Sequence, residues 1–236
     1  MKKTVVANWK MNPGTLAEAE DLFLASSGAI VCPPFIYLEE LSKIDSGVTL
    51  GAQDISLSPA TLSSGVNDEL GMSGDNLRQL GVKYVNVGHS DRRWKLGESD
   101  ETVNKKIKLS LSHNLTPIVC LGEISRLRQG FGGQARDWKD FLQKQTKATF
   151  AGLLSSEQAE KCLVVYEPVW AISTTPGARP DTPESALESI EVIKQALSSD
   201  LPFLYGGSVT SANAGDFLSL KEVSGVLVGG ASLDKE

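Results

Sequence analysis

Residues 163–172 read LVVYEPVWAI. The apolar run LVVY has the composition of a buried strand, and it ends at Glu167, which stands directly before Pro168 and so leaves the strand at its C-terminal end. A carboxylate at a strand exit is a candidate general base; an ordinary ion-paired glutamate is the other reading of this segment alone. The choice depends on what else the chain brings to the same end of the sheet.

Working outward, short runs rich in Val, Ile and Leu alternate with longer amphipathic segments along the whole sequence. Strands are expected at Thr4 to Ala7, Ala29 to Cys32, Thr49 to Ala52, Tyr84 to Val87, Pro117 to Cys120, Leu163 to Tyr166, Phe203 to Tyr205 and Val226 to Val228. Helices are expected at Leu16 to Ala25, Asp75 to Leu80, Glu101 to Leu111, Gln134 to Leu153, Pro183 to Leu197 and Ala212 to Leu218. Near-continuous apolar strands imply burial on both faces, hence a parallel sheet in an α/β protein. No Pro/Ser-rich linker or composition break divides residues 1–236, so a single domain is expected.

Eight βα units can form an open doubly wound sheet or close into a βα barrel, and periodicity alone leaves both available. The polar residues tilt the balance. Asn8 and Lys10 follow the first strand, Gln53 the third, His89 the fourth, Glu123 the fifth and Glu167 the sixth, while Gly206-Gly207 and Gly229-Gly230 follow the last two. In a barrel these positions converge on one mouth, and the last two loops commonly hold phosphate. In an open sheet, residues after all eight strands could not meet.

Hydrophobic residues make up 41% and charged residues 22%, an ordinary globular balance that excludes a disordered chain. The formal net charge of -6, with Lys and Arg scattered, argues against nucleic acid as a partner. A small anionic substrate stays available, because backbone N–H groups bind phosphate locally whatever the net charge. Cys32, Cys120 and Cys162 each lie in an apolar run and read as buried reduced thiols. Asn8, Lys10 and Asn12 interrupt the first apolar stretch before a signal-peptide core forms, and no run approaches the roughly 18 apolar residues of a membrane helix. A cytoplasmic protein with no membrane partner is expected.

His89 follows Gly88 at a strand end, whereas His113 ends a helical segment, where the helix dipole favours a cation. A buried, satisfied ring is the alternative for His89. Lys10 stands two residues after Asn8, so strand alternation points both side chains the same way; a surface lysine is the alternative. The glycine pairs allow close approach to a phosphate or serve as ordinary tight turns. Together, a base, an imidazole, an amine and two glycine turns at barrel exits form a far more specific constellation than any one of them.

These segments, ANWKMN (7–12), VGHSDRR (87–93), VVYEPVWAI (164–172), YGGSV (205–209) and LVGGASL (227–233), resemble the triosephosphate isomerase family in order and approximate spacing, from about Val5 to Leu233. The resemblance implies a (β/α)8 TIM barrel that interconverts dihydroxyacetone phosphate and D-glyceraldehyde 3-phosphate through an enediolate, without metal or organic cofactor. It implies that Glu167 is the base, that neutral His89 is the electrophile, and that Asn8 and Lys10 contact substrate. The N–H groups of Ser173, Ser208 and Gly230 would hold the phosphate, with Gly229 beside them, and the loop starting at Pro168 would be a lid. This family is itself the usual illustration of a Glu base, a neutral His and a closing loop, so those roles are borrowed from the resemblance. A homodimer is likewise implied.

Four departures from the family pattern carry expectations of their own. Asp91 stands where a longer Glu is usual, so a supporting carboxylate for Lys10 is expected to sit farther back. The segment Gly65 to Asn76 lacks the usual inter-subunit loop motif, which predicts a weakened dimer. Ser173 and Thr175 replace lid glycines, and residues are added before the next helix, so an altered closing motion is expected. The sequence after Leu233 supplies at most one helical turn, so the last barrel helix is expected to be truncated or missing. A barrel that binds sugar phosphate without useful turnover is the competing reading; another phosphate-binding barrel isomerase would keep the glycine turns without requiring Asn8, Lys10, His89 and Glu167 together.

Overall fold

The computed structural model describes residues 3–57, 71–126, 137–153, 157–197, 199 and 201–235. Along them run β1 (Thr4–Asn8), α1 (Leu16–Ala25), β2 (Ile30–Cys32), α2 (Leu38–Leu41), β3 (Thr49–Ala52), α3 (Gly74–Gln79), β4 (Tyr84–Val87), α4 (Ser90–Lys95) and α5 (Asp100–Ser112). The second half holds β5 (Thr116–Leu121), α6 (Trp138–Thr149), β6 (Leu163–Tyr166), α7 (Pro183–Leu197), β7 (Phe203–Tyr205), α8 (Ala214–Leu218) and β8 (Val223–Val228). Each strand pairs in parallel with its sequence neighbour, and β1 also pairs with β8 in the register Val6↔Leu227, so the sheet closes into an eight-stranded barrel. The open-sheet alternative is thereby removed.

Side-chain alternation along the strands produces two apolar layers. Val6, Ile30, Cys32, Ile118, Cys120, Val165, Leu204 and Leu227 fill the barrel interior. Their strand neighbours, such as Ala7, Val31, Val119, Val164, Tyr166 and Phe203, pack outward against the helices. All three cysteines are buried and free. Helix starts follow capping chemistry: the Thr15 hydroxyl accepts from Glu18 N while the Glu18 carboxylate accepts from Thr15 N at 3.1 Å, and Ser73, Ser99 and Asp137 cap α3, α5 and α6.

The differences from expectation are local. Asp137 caps α6 where a start at Gln134 was expected; Gln134 to Arg136 lie outside the described residues. Helices α2 and α4 span 4 and 6 residues, too short for an apolar period to show in sequence. Strand β8 begins three residues early, because Gly225 carries no side chain and lies against the Thr4 backbone of β1. After β8 comes a 3-10 turn, Gly230–Leu233, and no α-helix among the described residues. Much of the rewritten segment Gly65 to Asn76 lies outside the described residues; its described part, 71–76, leads into α3.

Candidate active site

The C-terminal ends of the strands enclose a cavity of about 260 Å³, lined by Asn8, Lys10, His89, Glu167, Ser173, Ser208, Gly229 and Gly230 among others. The residues named from the sequence for the reaction and for phosphate thus line one mouth, whereas Gln53 and Glu123, expected there with them, do not line this cavity. Asp91 lies behind them and contacts Lys10.

Glu167 is held first through its backbone, whose N–H donates to Leu121 O at 2.8 Å. Its carboxylate is buried and doubly engaged: Ser90 N–H donates to Oε2 at 2.8 Å and Ser90 Oγ–H to Oε1 at 2.8 Å. His89 Nε2 lies 3.0 Å from the same Oε1. Burial acts most strongly on this carboxyl and pushes its pKa up, but the His89 ring and the two Ser90 donors outweigh burial and leave it below the ordinary glutamate range.

His89 caps the N-terminus of α4, and its Nδ1 accepts from Asp91 N at 3.1 Å. That contact turns the other ring nitrogen, Nε2, toward Glu167. The ring's backbone is braced by Arg93, which is buried and donates to Gly88 O at 2.7 Å, Asp100 Oδ1 at 2.6 Å and Cys120 O at 3.2 Å. His113 by contrast ends α5 with Nδ1 at 2.8 Å from Leu109 O, far from the cavity lining.

Lys10 reaches the pocket by a different route from strand alternation. β1 ends at Asn8, and Lys10 adopts φ 54°, the left-handed region that a non-glycine residue enters at a cost of order 1–3 kcal/mol. Two side chains hold it there: Asn8 Oδ1 accepts from Lys10 N at 3.1 Å, and Gln53 Nε2 donates to Lys10 O at 2.7 Å and Cys32 O at 3.0 Å. Lys10 Nζ lies 3.3 Å from Asp91 Oδ2, so the shorter Asp91 still reaches its partner. Burial pushes the Asp91 carboxyl up, but Lys95, Lys10 and His89 together draw it below the usual range.

At the other end of the cavity, Ser173 N–H donates to Ser208 Oγ at 2.7 Å, and Ser208 Oγ–H donates to Ala171 O at 2.8 Å. Gly230 opens the 3-10 turn Gly230–Leu233, so its N–H has no carbonyl within that turn to donate to. Gly207 is small for a packing reason: a Cβ there would stand 2.2 Å from the Tyr205 hydroxyl. In the loop from Pro168 to Thr182, Thr175 Oγ1 donates to Val169 O at 2.8 Å. Among the described non-glycine residues only Lys10 and Asn114 have positive φ, so Ser173 and Thr175 carry no left-handed backbone in this loop conformation.

Three residues that hold the site were given no role from sequence. Ser90 directly follows His89 in the GHS motif, and Gln53 follows β3 at the same exit position as the other polar residues; both carried a legible signal. Gly122 did not: a Cβ there would stand 1.8 Å from Glu167 O, a contact between β5 and β6 that only the folded barrel reveals.

Among the described residues, no cluster of three or more His, Cys, Asp or Glu could hold a metal ion, and no helix is long and apolar enough to cross a membrane. The chain matches the family model for triosephosphate isomerase over residues 3–236. It is 36% identical over 252 residues to the triosephosphate isomerase of Alkalilimnicola ehrlichii, covering 100% of this chain and 96% of that protein. It is 37% identical over 254 residues to that of Aquifex aeolicus, with 100% and 96% covered, and 36% identical over 255 residues to that of Clostridium botulinum, with 100% and 97% covered.

Proposed function

The chain belongs to the triosephosphate isomerase family, interconverting dihydroxyacetone phosphate and D-glyceraldehyde 3-phosphate, and we propose that Glu167 is its base and His89 its electrophile. The observation that carries this assignment is the direct approach of a buried carboxylate and an imidazole Nε2, 3.0 Å apart at the cavity wall. In this resting arrangement base and electrophile occupy each other. Substrate entry separates them: the ketone oxygen takes over the Nε2–H of His89, and Glu167 leaves the Ser90 donors to face carbon 1.

Glu167 then removes a proton from carbon 1, and the C–H electron pair moves to form the enediolate, whose charge falls on oxygen 2. His89 Nε2–H and the Lys10 ammonium stabilise that charge. His89 gives its proton to oxygen 2 and takes the one on oxygen 1, and protonated Glu167 returns its proton to carbon 2, yielding the aldehyde. At the far end, phosphate replaces Ser208 Oγ as the acceptor of Ser173 N–H and adds the N–H groups of Ser208 and Gly230. A coupled assay with glyceraldehyde 3-phosphate tests the reading; the absence of turnover in folded protein overturns it.

His89→Gln is expected to lower kcat by about 10²-fold or more, since an amide donates a hydrogen bond but cannot shuttle the proton. His113→Gln should leave kcat within twofold. Sensitivity at His113 in place of His89 would refute the electrophile assignment.

The hydrogen bonds from Ser90 favour the charged form of Glu167. Ser90→Ala removes one of them and raises the pKa of the free base. A base works only when ionised, so activity is present above that pKa and lost as pH falls through it. The acid limb of kcat/KM should therefore move to higher pH in Ser90→Ala. A pH–rate profile with an unmoved or lowered acid limb would contradict the resting role given to Ser90.

We read the protein as a single domain over residues 1–236 that works in the cytoplasm as a homodimer. Supporting a second copy, Met11 is 89%, Ile36 77% and Leu96 67% exposed on the loops after β1, β2 and β4, at the catalytic end of the barrel. Sedimentation should show reversible dimers, with Ile36→Asp plus Leu96→Asp moving the dimer midpoint at least tenfold upward in concentration. A strict monomer on the order of tens of micromolar would rule this face out as the interface.

A further inference from the structure

Arg126 follows β5, outside the cavity lining, yet its guanidinium contacts both the first turn of the lid and the helix that follows the lid. Its Cζ lies 5.5 Å from the ring centroid of Trp170, which sits in the lid's first turn, Val169–Ala171. Its Nη2 donates to Ser185 O at 2.6 Å and to Ser189 Oγ, both in α7, where the lid ends. Nη2 also lies 3.4 Å from the Tyr166 hydroxyl, one residue before Glu167. The ring of Trp138 in α6 also lies against the guanidinium, with its centroid 4.3 Å from Cζ.

The carboxylate that completes this bracket is Glu123, buried at the exit of β5. Its Oε1 accepts from Trp170 Nε1 at 2.8 Å, from Tyr166 Oη at 2.9 Å and from Arg126 Nε at 3.3 Å. Trp170 is thus held by its N–H to Glu123 and by its ring to Arg126 and, at 5.3 Å, to Arg179 within the lid, while Arg126 is fixed to α7, where its Nη1 also lies 3.5 Å from Glu188 Oε2. A planar guanidinium can stack on rings and donate in its own plane at once; an ammonium cannot.

We propose that Arg126 is a positioning residue that couples the two hinges of the lid, so that the Pro168 end and the α7 end move as one and the lid covers the enediolate. This rests on the reading of residues 168–182 as a lid over a Glu167-dependent reaction. When cover fails, water reaches the intermediate, the C–O bond to phosphate breaks, the enediolate's electron pair forms the new double bond, and inorganic phosphate leaves; the remaining enol tautomerises to methylglyoxal.

The test measures isomer and methylglyoxal side by side in the parent enzyme and in Arg126→Gln, Arg126→Lys and Trp138→Leu. Arg126→Gln is expected to lower kcat at least threefold and raise methylglyoxal per turnover at least threefold, with KM changed less than twofold. Arg126→Lys should rescue only part, because it keeps the charge and loses the plane. Trp138→Leu, which removes the ring against the guanidinium, should shift the product ratio in the same direction and covers the case in which Arg126→Gln fails to fold. Lys144→Gln, which removes a cation of the same helix paired with Asp140 at 2.7 Å, serves as the control and should leave the ratio unchanged. A purely structural Arg126 would lower the melting temperature and leave the product ratio at the parent value in the folded variants, which overturns the proposal. Failure of the underlying reading is separable: Glu167→Gln would then retain turnover, whatever Arg126 does.

Discussion

Glu167→Asp is expected to lower kcat by two or more orders of magnitude while an inhibitor bearing a phosphate group binds nearly as well as to the parent. The backbone of Glu167 is pinned by its N–H to Leu121 O at 2.8 Å, so a shorter side chain cannot be compensated by a shift of the main chain. Removing one methylene retracts the carboxylate by about 1 Å, and misplacement of that size costs roughly 10²-fold in rate. The shortened carboxylate also draws back from Ser90 and His89, which hold Glu167 at 2.8 Å and 3.0 Å. Phosphate affinity should survive because Ser208 and Gly230 lie on other loops of the barrel, and Ser173, farther along the loop that follows Glu167, contributes only its backbone N–H. The decisive data are kcat by coupled assay and inhibition by a phosphate-bearing analogue. A kcat within threefold of the parent would remove Glu167 from the role of base.

The barrel and its mouth were legible because their signals are local. Each apolar run followed by one polar residue or a glycine pair marks a strand and its exit, and closure of the sheet brings those exits together without further information. His89 and Glu167 needed nothing more than this. Lys10 was placed in the pocket for the wrong local reason: alternation does not extend past Asn8, and the amine arrives through a left-handed turn held by Asn8 and Gln53. The lid shows the same limit. The sequence shows that Ser173 and Thr175 stand where glycines are usual, but not that Thr175 adds a hydrogen bond to Val169 O that a glycine could not make. What stayed hidden were contacts between distant segments, such as Arg126 between Trp170 and α7, and Gly122 against Glu167.

That last contact leads to the second large effect. Gly122→Ala, a change of one methyl group outside the cavity lining, is expected to lower kcat by two or more orders of magnitude. The added Cβ would lie 1.8 Å from Glu167 O and 2.6 Å from Glu167 C. A carbon and a carbonyl oxygen normally come no nearer than about 3.3 Å, so one strand end must move by about 1.5 Å. The obstructing atoms are backbone and have no rotamer by which to yield. Gly122 is itself anchored, its N–H donating to Gln145 Oε1 at 2.9 Å, so the displacement is shared with β6 and carries the base away from carbon 1. By the same rule of roughly 10²-fold per ångström, the chemical step suffers heavily while phosphate affinity changes little. Gly215→Ala is the matched control: it lies in α8 with nothing within 4 Å of the new Cβ, and it should be neutral or slightly stabilising. Circular dichroism establishes that both variants are folded at the assay temperature. If folded Gly122→Ala keeps more than a third of the parent kcat, the approach of β5 to Glu167 is not what positions the base, and the hydrogen bonds to Ser90 must suffice alone.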